Sequence, residues 1–283
     1  MNIKNLLFAA VICVGIVATS CQRFPSVHVK NHPIIVVSIP PYVSLVQAIA
    51  GYDAIVKSAI QPDFDPHTME ATPNQRKLVQ QADLFIAVGA LFEHKLLSIL
   101  REDKRELRIL HLDEIPSELL PGGSPNIHFW LSLKCLSIQV EMIAKMLSQM
   151  DPSQKPLYDY RANLYLRKIE TLDKHIQHIL APFRGKALLV PHAALCYFCA
   201  EYHLAQIAVE SEGKDPGPKD VLCLLDVAKH ANVACAFTFP QFGNKGVELI
   251  ANELGLSPVA FNPLGDSPLE SIEKLAQSIA DHG

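Results

Sequence analysis

Three of the twelve histidines in this 283-residue chain stand where a side chain could meet a ligand. His67 follows the second strand-like run, and His192 comes directly after a strand-like run and Pro191. His128 opens an apolar segment after a loop. A neutral imidazole accepts protons near neutral pH and binds transition metals. Three of them on one ion, with an oxygen donor beside them, would suit zinc at about 2.0–2.1 Å from each nitrogen. The three are far apart in sequence, so only the fold can bring them together. His192, Cys196, Cys199 and His203 also spell HxxxCxxCxxxH, which has the look of a second zinc site. Read as one helix, its ends lie about 16 Å apart along the axis, too far for a single tetrahedral ion. Core packing and a redox CxxC remain as readings of the two cysteines. No HExxH word occurs, and the carboxylates near the candidate histidines are Asp65, Glu70 and Asp266.

The elements that must position these residues follow from the hydrophobic pattern. Residues 34–38, 54–60, 84–88 and 107–112 read as buried strands, and helical patterns separate them at 42–50, from Thr72 onward, and at 91–100. Gly51 stops the first helix, while Thr72 and Pro73 cap and open the second. After a Pro/Gly/Ser loop at 116–126 come a helix at 138–150 and a long polar helical stretch over 151–181. Strands at 187–190, 207–209, 233–239 and 258–261 then alternate with helices at 192–202, 221–229, 246–254 and 268–279. Continuous apolar strands alternating with helices predict an α/β fold of two lobes, each a mostly parallel sheet flanked by helices. The expected divisions are 1–20 for a signal peptide, 33–150 for the first lobe, 151–182 for a connecting helix and 185–283 for the second lobe. The candidate histidines then fall in the cleft between lobes, at the carboxyl ends of strands, where such sheets bind ligands.

Composition narrows the function classes. With 25 Lys and Arg against 29 Asp and Glu, the chain carries a net charge of −4 and no basic stripe, so no nucleic-acid partner is expected. At 49% hydrophobic and 19% charged it is a globular composition. The chain opens with Lys4, an apolar run over residues 6–18 and Thr19-Ser20-Cys21, which reads as a secretory leader too short to span a bilayer. Ala18-Thr19-Ser20-Cys21 resembles a bacterial lipoprotein box, with Cys21 as the lipidated residue. Localisation is therefore expected in the periplasm or cell envelope, with anchoring through lipid rather than a membrane helix. Beyond Cys21 the cysteines are odd in number and scattered, which argues against a disulfide framework.

The words around the histidines carry the most information. They are DPHTMEATPNQ at 65–75, NIHFWL at 126–131, PHAALCYFCAEYHL at 191–204, FTFPQF at 237–242 and FNPLGD at 261–266. In that order, over nearly the whole chain, they resemble the ZnuA/TroA-like receptors, the metal-binding solute receptors of zinc and manganese ABC importers. The resemblance implies two α/β lobes joined by one long helix. It assigns His67, His128 and His192 as metal ligands. The fourth ligand of the family is usually an Asp, and this chain has Asn262 at that place. An imidazole at the third position favours zinc, since manganese-dedicated relatives commonly carry a carboxylate there; manganese and iron stay open. The implied partners are an ABC permease and its ATPase, and the implied state is a monomer without catalytic activity. Two other readings are a zinc-dependent hydrolase built on the three histidines and a metal-binding surface adhesin.

Overall fold

In the computed structural model, which describes residues 32–61, 72–98, 107–121, 126–210 and 217–283, the apolar runs form two parallel sheets. The first contains β1 (Ile34–Val37), β2 (Ile55–Ser58), β3 (Leu84–Ala87) and β4 (Arg108–His111), in the order β2-β1-β3-β4. The second contains β5 (Ala187–Val190), β6 (Ala205–Ala208), β7 (Val233–Thr238) and β8 (Val259–Ala260), in the order β6-β5-β7-β8. Both sheets thus share one topology, with the strand order reversing between first and third strands. Each reversal opens a crevice at the carboxyl ends.

Helices cover the sheets for reasons visible in the sequence. In the second sheet, Ala187, Leu189 and Ala236 face one side and pack under α7 (Pro218–His230) and α8 (Lys245–Glu253). Leu188, Val190, Cys235 and Phe237 face the other side, joining a core with α6 (Cys196–Tyr202) and α9 (Pro268–His282). That alternation is the period-2 signature of a strand. On the first sheet, α1 (Pro41–Ala50) buries Tyr42, Leu45, Val46 and Ile49. Next come α2 (Pro73–Gln81) and α3 (Leu91–Ser98). In α2 the Thr72 hydroxyl and the Gln75 side chain satisfy each other's backbone amides in a capping box.

The stretch over 151–181 resolves into a 3-10 turn at Pro152–Gln154, helix α5 (Lys155–Ile179) and a second 3-10 turn at Ala181–Phe183. At 25 residues, α5 is about 37 Å long. It packs against α4 (Leu133–Met150), α1 and α9, and so touches both halves. Arg161 Nη1 donates to Ala50 O at 2.8 Å, and Asp173 Oδ1 accepts from the Tyr202 hydroxyl at 3.0 Å. Gly51, at φ 71°, makes room for that arginine, because a Cβ there would lie 2.4 Å from the guanidinium carbon.

Two helix starts differ from the sequence expectation by four residues or more. Helix α4 begins at Leu133, because the Ser132 hydroxyl accepts from Cys135 N at 3.0 Å and caps it early. Helix α6 begins at Cys196 rather than at 192. Ala194 N closes a turn onto His192 O at 2.7 Å, and Leu195 N donates to Gln206 Oε1 at 2.9 Å, so residues 192–195 are held out of the helix. His203 is the left-handed C-cap residue of α6, at φ 58°, and is exposed.

The first turn of α4 is held by the opposite half of the molecule. The Glu201 carboxylate accepts from the Ser132 hydroxyl and from Leu133 N and Lys134 N, each amide at 3.2 Å. Burial pushes this carboxyl up from its ordinary range, against the hydrogen bonds, which lower it. Glu201→Ala strips three donors of their acceptor and is expected to cost about 1–3 kcal/mol of unfolding free energy. Urea denaturation checks this; an unchanged midpoint would mean that solvent replaces the carboxylate without loss.

Candidate metal centre

His192 leaves the carboxyl end of β5 after Pro191, at the reversal point between β5 and β7. Phe242 arrives there from the segment after β7, and its ring stacks on His192 with centroids 4.4 Å apart and planes 7° from parallel. His128 comes from the other half, as the residue before the 3-10 turn Phe129–Leu131. The backbone N and Nδ1 of His128 both lie 2.8 Å from Asn126 Oδ1. Asn126 in turn bridges the halves: its Nδ2 donates to Ala193 O at 3.2 Å, and its carbonyl accepts from the Tyr197 hydroxyl at 3.0 Å.

These supports bring His128 and His192 together. Their ring centroids are 5.0 Å apart, in an edge-on arrangement at 63°. Two imidazoles that share a tetrahedral ion, about 2.0–2.1 Å from each nitrogen, hold their ring centres about 5 Å apart. Spacing and donor type therefore both fit a shared divalent ion. Burial separates this pair from the rest: His128 is 6% exposed and His192 partly buried, whereas every other histidine among the described residues is exposed. Asn126 holds Nδ1 of His128, as the ring nitrogen that does not bind the ion is held in metal-ligating histidines.

His67, Asp65, Glu70 and Cys21 lie outside the described residues. Among the described residues no three His, Cys, Asp or Glu side chains form a metal cluster; the described part of the site is the histidine pair and its supports. Asn262 is near, since the Trp130 indole lies against His128, with ring centroids 5.0 Å apart and planes tilted by 49°, and donates to Pro263 O at 2.8 Å. The Asn262 side-chain oxygen accepts from Leu264 N at 2.9 Å and from Gln241 Nε2 at 2.7 Å. Two donors occupy both lone pairs of an amide oxygen, and the remaining side-chain atom is an NH2, which cannot bind a cation. Asp266 is exposed.

The other candidate site dissolves. Cys196 Sγ and Cys199 Sγ each contact a backbone carbonyl at 3.6 Å, Ala193 O and Ala205 O respectively. Burial pushes both thiols up from their ordinary range. All five cysteines among the described residues are free.

One residue of the site was missed by sequence reasoning. Glu210 Oε2 lies 3.3 Å from His192 Nδ1, with side-chain exposures of 11% and 16%. Its signal was register: β5 and β6 pair in parallel with Val190 opposite Ala208, so residues two beyond each partner stand level at the sheet's end.

A family model described as the periplasmic component A of zinc-uptake complexes matches residues 35–281. A Chlamydia muridarum protein provisionally named a metal-binding protein is 28% identical over 250 residues, 87% of this chain and 90% of its own. The zinc-binding lipoprotein AdcA of Streptococcus pneumoniae is 25% identical over 281 residues, 92% of this chain and 55% of AdcA. A crystal structure of ZnuA aligns with a TM-score of 0.82 and 29% identity, covering 89% of this chain and 99% of that one. The match runs through both sheets and the helix between them, and the chain belongs to the zinc-uptake complex component A family, the metal-binding receptors of ABC importers.

Proposed function

We propose that this protein captures zinc outside the cytoplasmic membrane and delivers it to an ABC permease driven by its ATPase, as a monomer without catalytic activity. The observation that carries this reading is the histidine pair, one from each half of the molecule, with His128 buried and His192 partly buried, spaced as two ligands of one ion. His67 in DPHTMEATP is the third ligand by its motif, and Cys21 the lipid anchor. Burial of the site favours capture and release over adhesion, which needs an exposed surface. Imidazole donors favour zinc over manganese, because a hard cation prefers oxygen. Metal analysis of protein purified without chelator tests the reading: zinc near one equivalent is expected, and a protein that takes up no divalent ion would overturn it.

Asn262 gives the reading a second test. Asp at this position would still accept from Leu264 N with one oxygen and would present a charged second oxygen where the NH2 group now stands. Asn262→Asp is therefore expected to tighten both zinc and manganese and to narrow the gap between them, since the harder ion gains more from a carboxylate. Isothermal titration of both ions decides it. A variant that binds manganese no better than the parent would remove position 262 from the site.

A further inference from the structure

We propose that Glu210 is the positioning residue of the metal site. It holds Nδ1 of His192 so that Nε2 is turned to the ion, and it places behind that imidazole the negative charge that Asn262 does not bring. This inference rests on the metal-site reading above and adds a residue that the family words do not contain.

An imidazole has two orientations to fix, its plane and its direction within the plane. Phe242 fixes the plane by parallel stacking. Stacking alone is blind to a half-turn of the ring, which exchanges Nδ1 with a carbon. Glu210 removes that ambiguity, because its carboxylate stands at ion-pair distance from Nδ1, 3.3 Å, where it attracts an N–H and gains little from carbon. The carboxylate is itself delivered by the sheet: Val209 N donates to Val190 O at 2.9 Å, and Glu210 N to Pro191 O at 2.8 Å. His128 is oriented instead by a hydrogen-bond contact of 2.8 Å between its Nδ1 and the neutral oxygen of Asn126. Among the described residues, His192 has a carboxylate beside Nδ1, and a neighbour of that charge strengthens Nε2 as a metal donor. Both side chains are largely shielded from solvent, so the charge acts on the ring without strong screening.

Two measurements on the full chain test this. Long-range proton–nitrogen spectra of the metal-free protein at pH 8 report which ring nitrogen of His192 carries the proton. Competition of zinc against a chromophoric chelator reports affinity for the parent, Glu210→Gln and Glu210→Ala. The parent is expected to hold the proton on Nδ1. Glu210→Ala is expected to lose that preference and to bind zinc about 10–100-fold more weakly. Glu210→Gln, whose amide oxygen can still accept the proton, should keep the tautomer and lose less. A proton on Nε2 in the parent, or parent-like zinc affinity in a folded Glu210→Ala, would overturn the proposal. Should Glu210→Ala fail to fold, the parent's tautomer and the Glu210→Gln affinity still decide. A parent that keeps the Nδ1 tautomer yet binds no zinc would instead overturn the metal-site reading.

Discussion

Replacing His128 or His192 by alanine is expected to weaken zinc binding by more than the 10–100-fold that loss of an outer partner of a metal ligand costs. Each substitution removes a donor outright, and the remaining ligands cannot move to replace it. His192 is held by the end of β5 and by stacking on Phe242, and His128 by Asn126 and by the turn anchored through Trp130. His67→Ala should match them in size if its motif assigns it correctly. His203→Ala is the control, because this exposed C-cap residue is expected to leave affinity unchanged. The only tryptophan of the chain provides the readout, since Trp130 lies 5.0 Å from His128 and its fluorescence should respond to an ion there. A His203 variant that lost as much zinc as the others would revive the HxxxCxxCxxxH word as a site.

Acidification should have an effect of comparable size. A ligand imidazole must be neutral, so protons and zinc compete for the same nitrogen. Affinity should be nearly level above neutrality and fall below about pH 6.5, where histidine ordinarily protonates. With two or three imidazoles involved, the fall well below that point approaches 100- to 1000-fold per pH unit. A carboxylate-dominated site would hold its affinity to much lower pH. Chelator competition between pH 7.5 and 5 distinguishes the two, and a flat profile would exclude a site built mainly of histidine.

The inner strands were legible because they are continuous apolar runs such as Leu84–Ala87 and Ala187–Val190, a pattern that buried parallel strands share. The start of α6 was not. Residues 192–195 are His-Ala-Ala-Leu, good helix formers by composition. What keeps them out of the helix is a hydrogen bond from Leu195 N to Gln206, 11 residues ahead, which no local pattern contains. The histidine pair was legible only through its words, since nothing in a spacing of tens of residues encodes 5.0 Å between rings. Glu210 stayed hidden for a related reason. It sits in VESEG, which reads as a polar loop, and gains meaning only when β6 is paired beside β5. Asn262 shows the converse case: its motif singles out the residue, while its hydrogen bonds to Leu264 and Gln241, visible only in three dimensions, determine what its side chain can offer.

The most direct test is diffraction from crystals of the zinc-loaded protein at wavelengths on either side of the zinc absorption edge. The expected result is a single anomalous peak about 2.0–2.1 Å from Nε2 of both His128 and His192, with His67 as a third nitrogen donor. A peak on Cys196 and Cys199, a peak touching only one of the two histidines, or no zinc peak at all would contradict a shared ion between the halves.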